Sequence, residues 1–220
     1  MAAFITFEGG EGVGKSTQAQ ALADRLTRQG YKTLVTREPG GTPFGEAMRS
    51  ALLAHADLET LTERLVFAAA RHEHVERVIS PALQAGMVVI CDRFIDSTRV
   101  YQGHDPADAF ARTLEARSIA GHLPDLTLIL DLPVDLALAR VAARGAMNRF
   151  DANAQATHEA RRTAFLGLAS AEPERCHVLD AAQTSTAVSE AVWALVSALL
   201  VAKSSGSPQV NPQSPEDDLF

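Results

Sequence analysis

One stretch near the N-terminus constrains this chain more than any other. Gly9-Gly10-Glu11-Gly12-Val13-Gly14-Lys15-Ser16-Thr17 carries a glycine, four intervening residues, then Gly-Lys followed by a hydroxyl residue. It follows the apolar run Phe4-Ile5-Thr6-Phe7 and precedes Ala19, Leu22, Ala23 and Leu26, which recur at helical spacing up to Gly30. A strand, a glycine-rich turn and a helix start in that order make a phosphate cradle. The glycines let successive backbone N–H groups turn inward around an anion, and the helix start adds partial positive charge. Lys15 brings a mobile charge to the β and γ phosphates, and the Ser16 hydroxyl is a ligand for Mg²⁺. The stretch reads as a P-loop from Gly9 to Thr17 and is expected to bind a nucleoside triphosphate, ATP.

The rest of the chain repeats the alternation. Short apolar runs stand at Phe4–Phe7, Tyr31–Thr36, Met87–Cys91, Leu126–Leu130 and Cys176–Leu179, with helix-period segments between them. Continuous apolar strands joined by helices predict an α/β fold, a five-stranded parallel sheet flanked by helices on both faces. In such sheets ligands bind beyond the carboxyl ends of the strands. Glu8, Arg37-Glu38, Asp92-Arg93, Asp131 and Asp180 all fall there. Thr60 and Glu63 have capping-box spacing and open a long helix, read with Leu61, Leu65, Val66 and Ala69 inward. Pro81 is expected to bend or end that helix before Gly86.

With 220 residues the chain suits one domain, read here as 1–203. The Ser, Gly, Pro, Gln and Asp of 204–220 cannot bury a core and are read as a disordered tail. A net charge of −7 argues against a general nucleic-acid binder. Cys91 and Cys176 lie far apart in apolar surroundings and read as buried thiols, and the scattered histidines lack a zinc-ligand pattern. The N-terminus has no signal-peptide pattern and no uninterrupted apolar run approaches membrane length, so a cytoplasmic protein with no membrane association is expected. A GTPase switch is disfavoured: no Asp stands three residues before a Gly, and Asn148-Arg149-Phe150-Asp151 lacks the lysine of a guanine-reading motif.

Four further segments resemble the thymidylate kinase family, enzymes that phosphorylate dTMP with ATP. They are Thr36-Arg37-Glu38-Pro39-Gly40-Gly41-Thr42, Glu63 to Arg71, Cys91-Asp92-Arg93-Phe94, and Ser97-Thr98-Arg99-Val100-Tyr101-Gln102-Gly103. The resemblance spans roughly Phe4 to Ala202 and implies the P-loop nucleoside monophosphate kinase fold. It implies dTMP and ATP as substrates, Mg²⁺ as cofactor and a homodimer. Phe67 would stack on the thymine and Arg71 would hydrogen-bond the base edge, with Thr98 and Gln102 also on the base. Arg93 and Arg49 would hold the acceptor phosphate, which a forked guanidinium suits. Tyr101 would lie where a 2′-hydroxyl projects, and Glu11 would face the 3′-hydroxyl. Asp92 either orients this cluster, takes part indirectly in Mg²⁺ binding, or forms a strand-end ion pair. Glu38 would hold the loop around Gly40 and Gly41.

Gly12 stands where the eukaryotic members carry an arginine. In the bacterial pattern a lid supplies that charge, and Arg144 to Asp151 resembles it, within a lid of about 143–153. Arg149 is the candidate transition-state contact, with Arg144 and Arg140 in support. The chain departs from the family at Phe94, Ala70 and Asn148, and in the stretch Gly103-His104-Asp105-Pro106. Three rivals stay open: a kinase for another pyrimidine nucleotide, a deoxynucleoside kinase, and a regulatory P-loop ATP-binding protein.

Overall fold

The apolar runs form strands β1 (Ala3–Glu8), β2 (Thr33–Arg37), β3 (Val88–Asp92), β4 (Leu126–Asp131) and β5 (Cys176–Asp180) of one parallel sheet. The structure, a computed structural model, describes residues 1–55, 57–103, 107–145 and 154–205. Strand order is β2-β3-β1-β4-β5, so the strand that feeds the P-loop is central. Parallel register sets Phe7 and Arg37 beside Asp92, and Asp131 beside Asp180, so the charged residues share the carboxyl edge.

Side chains on a strand alternate between faces, and the core divides accordingly. Ile5, Phe7, Val88, Ile90, Leu128 and Leu130 face α1 (Lys15–Arg28) and α9 (Ser185–Ser204). Phe4, Val89 and Cys91 face the other way, onto Val75, Ile79, Phe94 and Ile95. The inward face expected for α1 is the one observed, and Gly30, at φ 86°, follows it in the left-handed region.

Around these lie α2 (Pro43–Ala54), α3 (Thr60–His74), α4 (Ser80–Gln84), α5 (Ile95–Tyr101), α6 (Ala109–Ile119), α7 (Val134–Arg144) and α8 (Gln155–Ala171). Two expectations for α3 are corrected. Its buried residues are Ala68, Ala70, Arg71 and His74, whereas Leu61 and Leu65 are 54% and 43% exposed. Arg71 on this face lines a polar cavity and is buried there through hydrogen bonds to Glu38 and Thr98, not by apolar packing. The Thr60/Glu63 capping box is also absent, since Glu59 takes the N-cap position with no side-chain bond. Pro81 does not stop the helix at once. A π-helical stretch at Val75–Ile79 links α3 to α4, where Pro81 occupies the first turn and needs no N–H partner.

Helix α9 extends to Ser204, one residue past the expected boundary, and 206–220 lie outside the described residues. Counting uninterrupted runs overlooked this helix, which is long and apolar enough by length and composition to cross a membrane. Val188, Val192, Val196 and Leu200 along it are buried in the core.

Helix α5 is anchored from below. Arg175 donates from Nη1 and Nη2 to both oxygens of the fully buried Asp96, at 2.7 and 3.0 Å, and to Thr127 Oγ1 at 2.6 Å. Arg99 holds Asp96 Oδ1 at 3.1 Å from the other side. Arg175→Met is therefore expected to destabilise the fold by about 3 kcal/mol, the low end for breaking a buried pair, because Arg99 stays in place. Urea unfolding checks this: the midpoint falls while the slope is unchanged.

Candidate active site

Beyond Glu8 the backbone turns sharply into the P-loop. Gly9 and Gly12 have φ of 127° and 75°, and a Cβ at either would stand 2.5 Å from Leu130 O or 2.3 Å from Ala137 O. Both positions therefore demand glycine twice over, by conformation and by space. Helix α1 opens at Lys15 with Gly14 as N-cap and no side chain capping it, which leaves its first N–H groups for an anion. Lys15 is buried, and Nζ donates to Gly9 O at 3.0 Å and Gly10 O at 2.5 Å. Burial, and then Arg93, push its ammonium down to about 8, against the pull of Asp92, Glu11 and Glu8. The Ser16 hydroxyl donates to Asp92 Oδ2, so two hard oxygen ligands meet at the mouth of the loop.

A single cavity of about 690 Å³ joins the P-loop to the inner face of α3. Phe67, Arg71, Thr98, Tyr101, Gln102 and Arg49 all line it, as do Glu11, Glu38, Asp92 and Arg93. Arg71 is held rigidly: Nε donates to Glu38 Oε2 at 2.7 Å, and Nη2 to Thr98 Oγ1 at 2.8 Å and Phe94 O at 3.2 Å. Glu38 Oε1 lies 3.1 Å from His74 Nδ1, and His74 Nε2 lies 2.7 Å from Thr36 Oγ1. The Glu38 carboxylate thus orients Arg71, a firmer role than steadying the Gly40-Gly41 turn. Gln102 donates to Glu63 Oε1 at 3.0 Å, and its buried Oε1 is without a partner among the described residues. Arg49 reaches Pro39 O at 3.3 Å.

Arg93 joins the two halves. It sits at φ 70°, uncommon for a residue with a side chain, and donates from Nη1 to Gly9 O at 3.2 Å and Ser97 Oγ at 3.1 Å. Its Nη2 lies 3.4 Å from Glu11 Oε1, which also accepts from Tyr101 Oη at 2.5 Å. The turn is fixed by Glu8, whose Oε1 accepts from Phe94 N at 2.7 Å and whose Oε2 accepts from Ser97 Oγ at 2.6 Å. Burial, reinforced by nearby Asp96, pushes the Glu8 carboxyl up to about 7. Burial pushes Glu11 the same way, but Arg93, Lys15, Tyr101 and Arg161 outweigh it and leave the group below its ordinary value.

Of the residues singled out from the sequence, Arg149 and the rest of 146–153 lie outside the described residues. Arg140 and Arg144 line the cavity on the P-loop side. Sequence reading missed several lining residues there: Gln18, Gln183 and Ser185. Gln18 donates to Ser185 O at 3.1 Å and accepts from Ser189 Oγ at 2.7 Å, tying α1 to α9. It also missed His158, buried on α8 beside Glu11. A lone glutamine or histidine inside an amphipathic helix carries no spacing signal.

A P-loop on the central strand, open into a second pocket rich in arginine, defines a P-loop phosphotransferase of the nucleoside monophosphate kinase fold. The family model described as thymidylate kinase matches residues 7–192. The chain belongs to the thymidylate kinase family. It is 51% identical over 201 residues to the thymidylate kinase of Pseudomonas fluorescens strain SBW25, covering 90% of this chain and 96% of that one. The thymidylate kinase of Caulobacter vibrioides is 49% identical over 193 residues, covering 86% and 93%. The crystal structure of thymidylate kinase from Ehrlichia chaffeensis superposes with a TM-score of 0.70 at 34% identity, covering 89% of this chain and 98% of that one.

Proposed function

We propose that this enzyme transfers the γ-phosphoryl group of ATP to dTMP, giving dTDP and ADP with Mg²⁺ as cofactor. The observation that carries the reading is the continuous cavity between the P-loop and the Phe67–Arg71 pocket, in a member of this family. An oxygen of the dTMP phosphate bonds to the γ-phosphorus as the bond from that phosphorus to the bridging oxygen breaks. The attacking oxygen is already anionic at neutral pH, so no general base is required. Catalysis is then positioning plus charge stabilisation.

In this reading Lys15 and the P-loop amides, Gly9 to Thr17, hold the ATP phosphates, and Arg149 meets the transferring group from the lid. Arg93 and Arg49 fix the acceptor phosphate in line. Phe67 stacks on the base, while Arg71, oriented by Glu38, reads its edge together with Thr98 and Gln102. Tyr101 and Glu11 face the sugar, Tyr101 where a 2′-hydroxyl would project and Glu11 at the 3′-hydroxyl. Ser16 and Asp92, already in contact, would hold Mg²⁺, directly or through water. When bound, the metal ion draws charge from the phosphoryl oxygens.

The functional unit is read as one domain, 1–203. A homodimer is part of the reading, supported by Leu61 and Leu65 on α3 and Phe110 on α6, which are 54%, 43% and 53% exposed on two helices that pack together. A cytoplasmic location accords with two buried, unpaired cysteines. The test is ADP release with ATP against dTMP, dUMP, UMP, CMP, AMP and thymidine. The expected order puts dTMP first and UMP far behind. Preference for thymidine or a ribonucleotide, or ATP binding with no acceptor used, overturns it.

A further inference from the structure

Glu11 is bound on one side only. Its Oε1 takes Tyr101 Oη and Arg93 Nη2, whereas Oε2 is buried with no hydrogen-bond partner among the described residues. A buried carboxylate oxygen left bare is costly, and such an atom calls for a nearby donor. The imidazole of His158 approaches it, with Nδ1 3.5 Å from Oε2 and both side chains only 6% exposed. His158 Nε2 is itself buried and without a partner among the described residues. At 3.5 Å the pair is at the outer edge of a hydrogen bond.

The setting gives this approach a direction. His158, Arg161 and Phe165 lie three and four residues apart on α8 and so share one face. The Arg161 guanidinium lies 4.3 Å above the Tyr101 ring, and Phe165 meets the same ring edge-on, 6.4 Å between centroids. One helix face therefore backs both members of the Glu11–Tyr101 pair. If His158 served only to fill space, an apolar side chain would fill it without burying an unsatisfied ring nitrogen.

We propose that His158 is a positioning residue for the acceptor sugar: its Nδ1–H holds Glu11 Oε2, so that Oε1 stays turned toward Tyr101, Arg93 and the acceptor. This rests on the reading of Glu11 as the group facing the 3′-hydroxyl. Free rotation of the carboxylate would scatter that contact, and His158 prevents it from the side away from substrate.

The experiment compares dTMP with its 3′-deoxy counterpart, 2′,3′-dideoxythymidine 5′-monophosphate. His158→Phe is expected to raise KM for dTMP roughly tenfold, as loss of one hydrogen bond to a charged group implies. KM for the 3′-deoxy acceptor and for ATP stays within about twofold, since neither depends on that hydrogen bond. The amide of asparagine falls where Nδ1 stood, and that of glutamine where Nε2 stood. His158→Asn should therefore keep the dTMP preference and His158→Gln lose it, a contrast that general packing does not produce. The two amide variants give the same reading should His158→Phe fold poorly. Glu11→Ala separates the layers. If it leaves the preference for dTMP intact, the sugar-facing reading of Glu11 fails. If it erases the preference while every His158 variant retains it, or all acceptors weaken alike in those variants, the positioning role fails by itself.

Discussion

Lys15→Ala is expected to lower kcat at least ~100-fold, in line with the loss of a group that stabilises transition-state charge. The geometry makes this lysine hard to replace. It is buried and already tethered to the carbonyls of Gly9 and Gly10, so its charge is aimed before ATP arrives. Arg93 neighbours the same loop, but it is engaged with Gly9 O, Ser97 and Glu11 and is not free to move across. The environment adds a second signature. With the ammonium held down to about 8, free enzyme loses that proton as pH rises through 8. The charge is present below that value and lost above it, so kcat/KM for ATP should fall on the alkaline side. Steady-state kinetics from pH 6 to 10 checks both points. A wild-type rate for Lys15→Ala would remove the lysine from the chemistry.

Arg149→Ala is likewise expected to cost at least ~100-fold in kcat, because it withdraws the proposed lid charge from the transferring phosphoryl. The more telling variant adds Gly12→Arg to it, in imitation of the eukaryotic P-loop. That combination is expected not to recover activity. A Cβ at position 12 would stand 2.3 Å from Ala137 O and 3.0 Å from Val141 Cγ2, so α7 occupies the space a side chain would need. The backbone at Gly12 is also left-handed, which an arginine adopts only at a cost. Single-turnover measurements on both variants decide the matter. Wild-type rates for Arg149→Ala would refute the lid assignment, and recovery in the double variant would refute the steric account.

Much of the architecture was legible because its signals are local. Five apolar runs bounded by polar residues became five strands, and Gly9 to Thr17 could be read as a cradle without any tertiary information. The acceptor pocket was legible as a set of residues, and all those named for it line one cavity. What they do to one another was not. Glu38 could not be seen as the partner of Arg71, since 33 residues separate them and only the sheet brings them together. Helix α3 was misread for a related reason. Periodicity finds an apolar stripe but cannot say whether the stripe meets a core, and here Leu61 and Leu65 face outward while Arg71 and His74 go in. Gln18 and His158 left no trace because a single polar residue on an amphipathic helix has no pattern to break.

The strand order has a consequence for how this protein comes into being on the ribosome. By the time residue 75 has been made, the chain contains the P-loop, Phe67 and Arg71, yet nothing can join them. Strand β2 does not touch β1, because β3 lies between them and pairs with both. Parallel pairing over such separations carries a loop-closure cost before it returns any stability. The two halves of the site therefore wait for Val88–Asp92 to slide between them, and the same strand delivers Asp92, with Arg93 the next residue out. Insertion of β3 thus brings the β1 and β2 ends of the cavity together and sets Asp92 and Arg93 between them in the same step.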